Sequence, residues 1–101
     1  MKVVYSRLAL AELDEIFADI RSKSPLGATR VEARLLHVIE QITKHPESAQ
    51  RVAGWSDIRR APLIRYPYVV YYRVTEGGIT ILRILHGKRR PLTPPLAAAG
   101  R

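Results

Sequence analysis

A chain of 101 residues with 47% apolar side chains can fill one core but hardly two. It has no cysteine, which excludes a disulfide framework and thiol chemistry. No apolar run approaches the roughly 18 residues of a membrane span. Seventeen basic against nine acidic side chains give a formal net charge of +8, which points to a polyanion or an acidic protein as partner. Met1-Lys2-Val3-Val4-Tyr5 flows directly into patterned sequence without the apolar region and cleavage site of a secretion signal, so a cytoplasmic location is expected.

The charge is uneven. Residues 1–50 hold seven basic and seven acidic side chains, while residues 51–101 hold ten basic ones and only Asp57 and Glu76. Arginine outnumbers lysine by 13 to 4, and its planar donor fork suits phosphate, carboxylate and aromatic rings.

In chain order, residues 2–6 read as a short strand, with Ser6 placed to cap a following helix. From Arg7 to about Lys23, Ala9, Leu13, Ile16, Phe17 and Ile20 recur at helical steps. Ser24-Pro25 breaks that run. A second helix is expected from Leu26–Ala28 to about Lys44, on the stripe Ala28, Val31, Leu35, Val38, Ile39 and Ile42. A link of some five residues between two amphipathic helices predicts an antiparallel hairpin. Residues 46–56 read as a loop that Trp55 anchors. Residues 57–61 read as a short strand, and Pro62 and Pro67 bracket a turn or edge. Residues 68–75 and 79–86 are β-rich and flank Gly77-Gly78, which predicts a hairpin. Residues 1–90 are therefore expected to be a single domain. Residues 91–101, with Pro91, Pro94 and Pro95, are expected to form a tail that is loose unless a partner orders it.

The predicted fold is α+β: a helical hairpin on a small, twisted, mainly antiparallel sheet, in the order β-α-α-β-β-β. The first strand is expected beside the last, in the middle of the sheet. If Gly77 and Gly78 are the turn residues, Tyr72 faces Arg83 and Arg73 faces Leu82. One face then carries Tyr71, Arg73, Leu82, Ile84 and His86, and the other Val70, Tyr72, Val74, Ile81, Arg83 and Leu85. An unpaired arginine inside a core is costly. Arg83 beside Tyr72, or Arg73 beside Tyr71 and near His86, should therefore lie on an open face, with a paired or snorkelling role left open for each.

Glycine-rich phosphate loops and nucleophile elbows are absent from the sequence. His37, His45 and His86 are widely spaced, which argues against a zinc site; no metal or other cofactor is expected. Only His86 adjoins a basic cluster, Lys88-Arg89-Arg90. Metal-free phosphodiester cleavage needs a base, an acid and cations. His86, Arg83 and Arg89 would supply parts of such a set, so the residues leave enzyme activity open.

Taken together, KVVYS, ELDEIFADI, ITKHPES, IRRAPLIRYPYVVYYRV and ILRILHGKRR resemble the RelE/ParE superfamily of type II toxin–antitoxin toxins, and the ParE branch more than the RelE branch. The resemblance spans residues 2–90. It implies the helical-hairpin-on-sheet fold and a hetero-oligomer with a cognate antitoxin, through which alone operator DNA is bound. It also implies inhibition of DNA gyrase without catalysis. The alternative is ribosome-dependent mRNA cleavage as in the RelE branch; a third reading is a degenerate member that retains only antitoxin binding. No membrane role is implied. The RelE-type motif GYRLVY places arginine after the tyrosine, where this chain has Val69. Arg59 and Arg60 loosely match upstream basic positions, Arg89 follows Gly87-Lys88 as the late RelE-type arginine does, and His86 matches a histidine of many ParE-like members. The residues expected to meet target or antitoxin are Arg59, Arg60, Arg65, Tyr71, Arg73, Arg83, His86, Lys88, Arg89 and Arg90.

Overall fold

The computed structural model describes residues 2–87. The expected Pro-rich tail, and Lys88, Arg89 and Arg90 before it, lie outside the described residues. The elements are β1 (Lys2–Tyr5), α1 (Arg7–Lys23), α2 (Pro25–Lys44), β2 (Gln50–Val52), β3 (Trp55–Pro62), β4 (Tyr68–Thr75) and β5 (Gly78–His86). They build a helical hairpin on one sheet, ordered β1-β5-β4-β3-β2. β1 runs parallel to β5 and the other pairs are antiparallel. The first strand does lie beside the last, but at the edge of the sheet rather than in its middle.

Ser6 makes the corner between β1 and α1. Its Oγ accepts from the Ala9 N–H at 3.0 Å and donates to the Leu82 carbonyl at 2.7 Å, and its own N–H donates to Ile81. One small side chain thus caps the helix and ties its start to β5. The link between the helices is a single residue, not about five. The Ser24 N–H closes α1 on the Ile20 carbonyl at 2.7 Å, while its Oγ accepts from Gly27 at 2.9 Å to open α2. Pro25 can start α2 because a helix's first N–H has no partner to lose.

The predicted stripes face the sheet. Val31, Leu35, Ile39 and Ile42 of α2, with Ala9 of α1, close over Val70, Tyr72, Ile79, Ile81 and Ile84. Burial of each large aliphatic side chain contributes about 1.5–3 kcal/mol. The far face of the sheet holds a smaller cluster: Ile58 and Leu82 with Val52, Trp55 and Tyr71.

Three further expectations differ from the structure. Residues 46–56 are not all loop: β2 and the start of β3 form a hairpin closed by the pair Val52–Trp55, around Ala53-Gly54 with Gly54 at φ 82°. This adds one short strand to the predicted order. The β4–β5 turn is Glu76-Gly77, because Thr75 pairs with Gly78 and Gly77 takes φ 77°; glycine accepts that left-handed conformation without penalty. Lastly, a bulge interrupts β4–β5. Tyr72 pairs with Ile81 and Tyr71 with Arg83, which leaves Leu82 as the extra residue. Moving the turn shifts each pairing by two residues and preserves the faces. The bulge shifts it by one and swaps them. Ile84 therefore joins the helix-side core, and Arg83 comes to stand opposite Tyr71.

Candidate target-binding site

Cross-strand pairing aligns Gln50, Arg60, Tyr71 and Arg83 in one row across β2, β3, β4 and β5. The next row contains Ile58, Arg73 and Thr80. Arg60, Tyr71 and Arg73 thus share the helix-free face with Ile58. Arg59, one residue out of step, lies opposite Tyr72 on the helix side.

Several of these arginines are engaged within the chain. Arg83 reaches α1, where Nε and Nη2 lie 2.9 and 2.6 Å from Glu12 Oε2. Glu12 Oε1 also accepts the Ile84 N–H at 2.9 Å. β1 pairs with β5 only as far as Ile81, so this carboxylate stands in for a neighbouring strand beyond that point. Arg73 Nε lies 2.7 Å from Asp57 Oδ2, with its N–H not directed along that line, so the contact is an ion pair more than a hydrogen bond. Arg59 Nη1 donates to the carbonyls of Glu47 and Ala49 at 2.9 and 2.8 Å, and Tyr72 Oη donates to Pro46 at 2.7 Å. Together they hold the segment between α2 and β2. Burial pushes the Tyr72 phenol above its ordinary value, against an opposing pull from Arg59. Burial raises the Tyr5 phenol in the same way.

His86 closes β5 with its ring edge-on to Tyr68, the centroids 6.0 Å apart and the planes at 79°. It lines an open cleft of about 410 Å³ together with Glu12, Glu15, Asp19 and Tyr68. The surroundings of His86 are therefore acidic within the described residues. Glu12 is 71 residues from Arg83, a separation at which no local pattern reveals a partner. Arg65 sits exposed in the turn before β4 at φ 80°, a left-handed position that costs a non-glycine residue of order 1 kcal/mol.

A second cleft, of about 400 Å³, opens at the hairpin end of the sheet. Arg51, Trp55, Arg60 and Tyr71 line it, with Gln50, Val52 and Ala53. Among the described residues neither Arg51 nor Arg60 makes an ion pair. Arg51 and Trp55 were missed as site residues because this stretch read as loop. The available signal was Ala53-Gly54 between Val52 and Trp55, a two-residue turn flanked by strand-forming residues.

Residues 3–91 match the family described as the ParE toxin of the type II toxin–antitoxin system parDE. The chain belongs to the ParE toxin family. It is the toxin of a type II toxin–antitoxin module within the RelE/ParE superfamily, and such a toxin is expected to pair with a cognate antitoxin. Toxin RelE2 of Caulobacter vibrioides is 33% identical over 88 residues, covering 87% of this ParE-family chain and 97% of the relative. The solved structure of the chromosomal ParDE TA system from P. aeruginosa superposes with a TM-score of 0.73 at 25% identity. That match covers 85% of this chain and 95% of the other. Among the described residues of the ParE-family chain, no helix is long and apolar enough to cross a membrane.

Proposed function

We infer that this ParE-family toxin acts in the cytoplasm as a protein-binding inhibitor of DNA gyrase, without catalysis of its own, and that an antitoxin covers its basic half. The observation that carries the reading is the state of the positions a ribonuclease would need. Val69 stands where the RelE branch has its strand arginine; it is only 4% exposed, between Pro62 and Leu85 in the sheet. Arg83 is neutralised by Glu12, and His86 looks onto carboxylates. Among the described residues the lining of that cleft holds three carboxylates and no cation, whereas the developing charge of a phosphorane is stabilised by cations. Membership of the ParE family supports the same choice.

Mapping RNA 5′ ends in cells expressing the toxin tests the choice against the RelE-like alternative. The expected result is no discrete cuts within codons at the ribosomal A site. A ladder of such cuts, lost in His86→Ala, would establish a ribonuclease and end the gyrase reading. The antitoxin's toxin-binding segment is expected to be acidic or amphipathic, with an affinity for the toxin that falls as salt rises.

A further inference from the structure

Among the described residues, the cleft at the hairpin end brings together two arginines without ion pairs and two aromatic rings. Arg59, Arg73 and Arg83 hold, respectively, a loop, Asp57 and Glu12. Arg51, which pairs with Arg59 and so alternates with Gln50 along the edge strand β2, borders the cleft from the sheet's rim; neither it nor Arg60 holds a carboxylate of the described chain, and none lines the cleft. Pairing of Arg60 with both Gln50 and Tyr71 sets these three side by side at the spacing of neighbouring strands, about 4.8 Å. The Val52–Trp55 pair closes the hairpin and places the indole at the end of the same cleft. Trp55 and Tyr71 both pack against Ile58 and Leu82 and are only half-buried, so each ring is backed by the small core and still borders the opening.

We propose that this cleft binds a short single-stranded stretch of nucleic acid, with phosphates on Arg51 and Arg60 and bases against Trp55 and Tyr71. A positive groove with aromatic platforms is the usual means of holding single strands without reading their sequence. An acidic peptide would satisfy the two guanidinium groups but give the rings no flat partner. Arginine serves here better than lysine, since its planar fork matches a phosphate and stacks beside a ring. Among the described residues its lining holds no carboxylate or imidazole, and the site is proposed as a binding surface. It goes beyond the inhibitor reading and does not depend on which macromolecule the toxin attacks.

Trp55 is the sole tryptophan, so its fluorescence reports on this cleft directly. The full-length chain is titrated with an eight-nucleotide oligothymidylate at low salt. Saturable quenching is expected, weakening as salt rises by about 0.7 log units per decade for each phosphate held. The double variant Arg51→Glu/Arg60→Glu is expected to lose at least about tenfold in affinity, whereas Arg30→Glu/Arg34→Glu on α2, an equal change in charge, stays within about threefold. Trp55→Leu, followed by the anisotropy of a labelled oligonucleotide, is expected to lose about tenfold as well. Thermal melts establish that each variant is folded; should the double reversal unfold, Arg51→Gln, at an exposed position, replaces it with a smaller loss. Absence of quenching, or equal affinity in the folded Arg51/Arg60 variant, overturns the proposal. So does quenching by a polyglutamate peptide but not by the oligonucleotide, which would assign the cleft to an acidic protein segment.

Discussion

At the scale of single residues, Glu12 does more than its place on a helix suggests. Its side chain is only 13% exposed, that of Arg83 20%, and the same carboxylate also takes the Ile84 N–H. Removing one member of such a pair leaves the other charge poorly solvated, which costs more than the pair contributes. Glu12→Ala is expected to destabilise the fold by about 3 kcal/mol. Glu12→Gln, which still offers an oxygen to Ile84, is expected to cost about half as much. Urea denaturation of the two variants measures the difference, and equal losses would show that the backbone contact at Ile84 contributes little. Tyr72 gives a pH signature. Its phenol titrates above the ordinary value near 10 in the folded chain because burial disfavours the phenolate. The unfolded chain therefore loses this proton first as pH rises. Stability is full below about pH 10 and falls as pH climbs through the folded-state value. Tyr5 adds to the same trend. Tyr72→Phe is expected to lower stability at pH 8 by about 1 kcal/mol through loss of the bond to Pro46, and to flatten the fall above pH 10. Denaturant midpoints at several pH values read both effects.

Among the elements, the parts set by neighbours in sequence were legible and the parts set by distant strands were not. Ser6 as a cap, the stripe from Ala28 to Ile42 and the hairpin around Gly77 follow from local rules of capping, period and turn chemistry. The β4–β5 pairing does not. A turn at Glu76-Gly77 and one at Gly77-Gly78 suit the same letters, and the bulged Leu82 gives its carbonyl to Ser6, a partner 76 residues away. Helix length was legible too, but not that Ser24 could serve both helices at once. Gly78 shows how tightly the elements meet: a Cβ there would collide with the Lys2 carbonyl of β1. Backbone does not yield as a flexible side-chain end does, so Gly78→Ala is expected to push β1 away and cost about 1–3 kcal/mol. Hydrogen exchange should then show faster exchange at the β1–β5 amides, with β3–β4 amides unchanged apart from the global loss. Uniform behaviour across the sheet would contradict a local collision.

Over the whole molecule, the excess charge was visible in composition, but its division into structural and available cations was not. Arg59, Arg73 and Arg83 look alike in sequence to Arg51 and Arg60. What separates them is the partner each finds in the fold: the Glu47 and Ala49 carbonyls for Arg59, Asp57 for Arg73 and Glu12 for Arg83. The same packing buries Val69 and sets Glu12, Glu15 and Asp19 in the cleft that His86 lines. The proposed mode of action is therefore occupation of another protein. The most direct test is a DNA gyrase supercoiling assay with the purified full-length chain. Inhibition that rises with toxin concentration, saturates near one toxin per gyrase subunit and is reversed by the cognate antitoxin is the predicted result. Undiminished supercoiling at a large molar excess of folded toxin would contradict it.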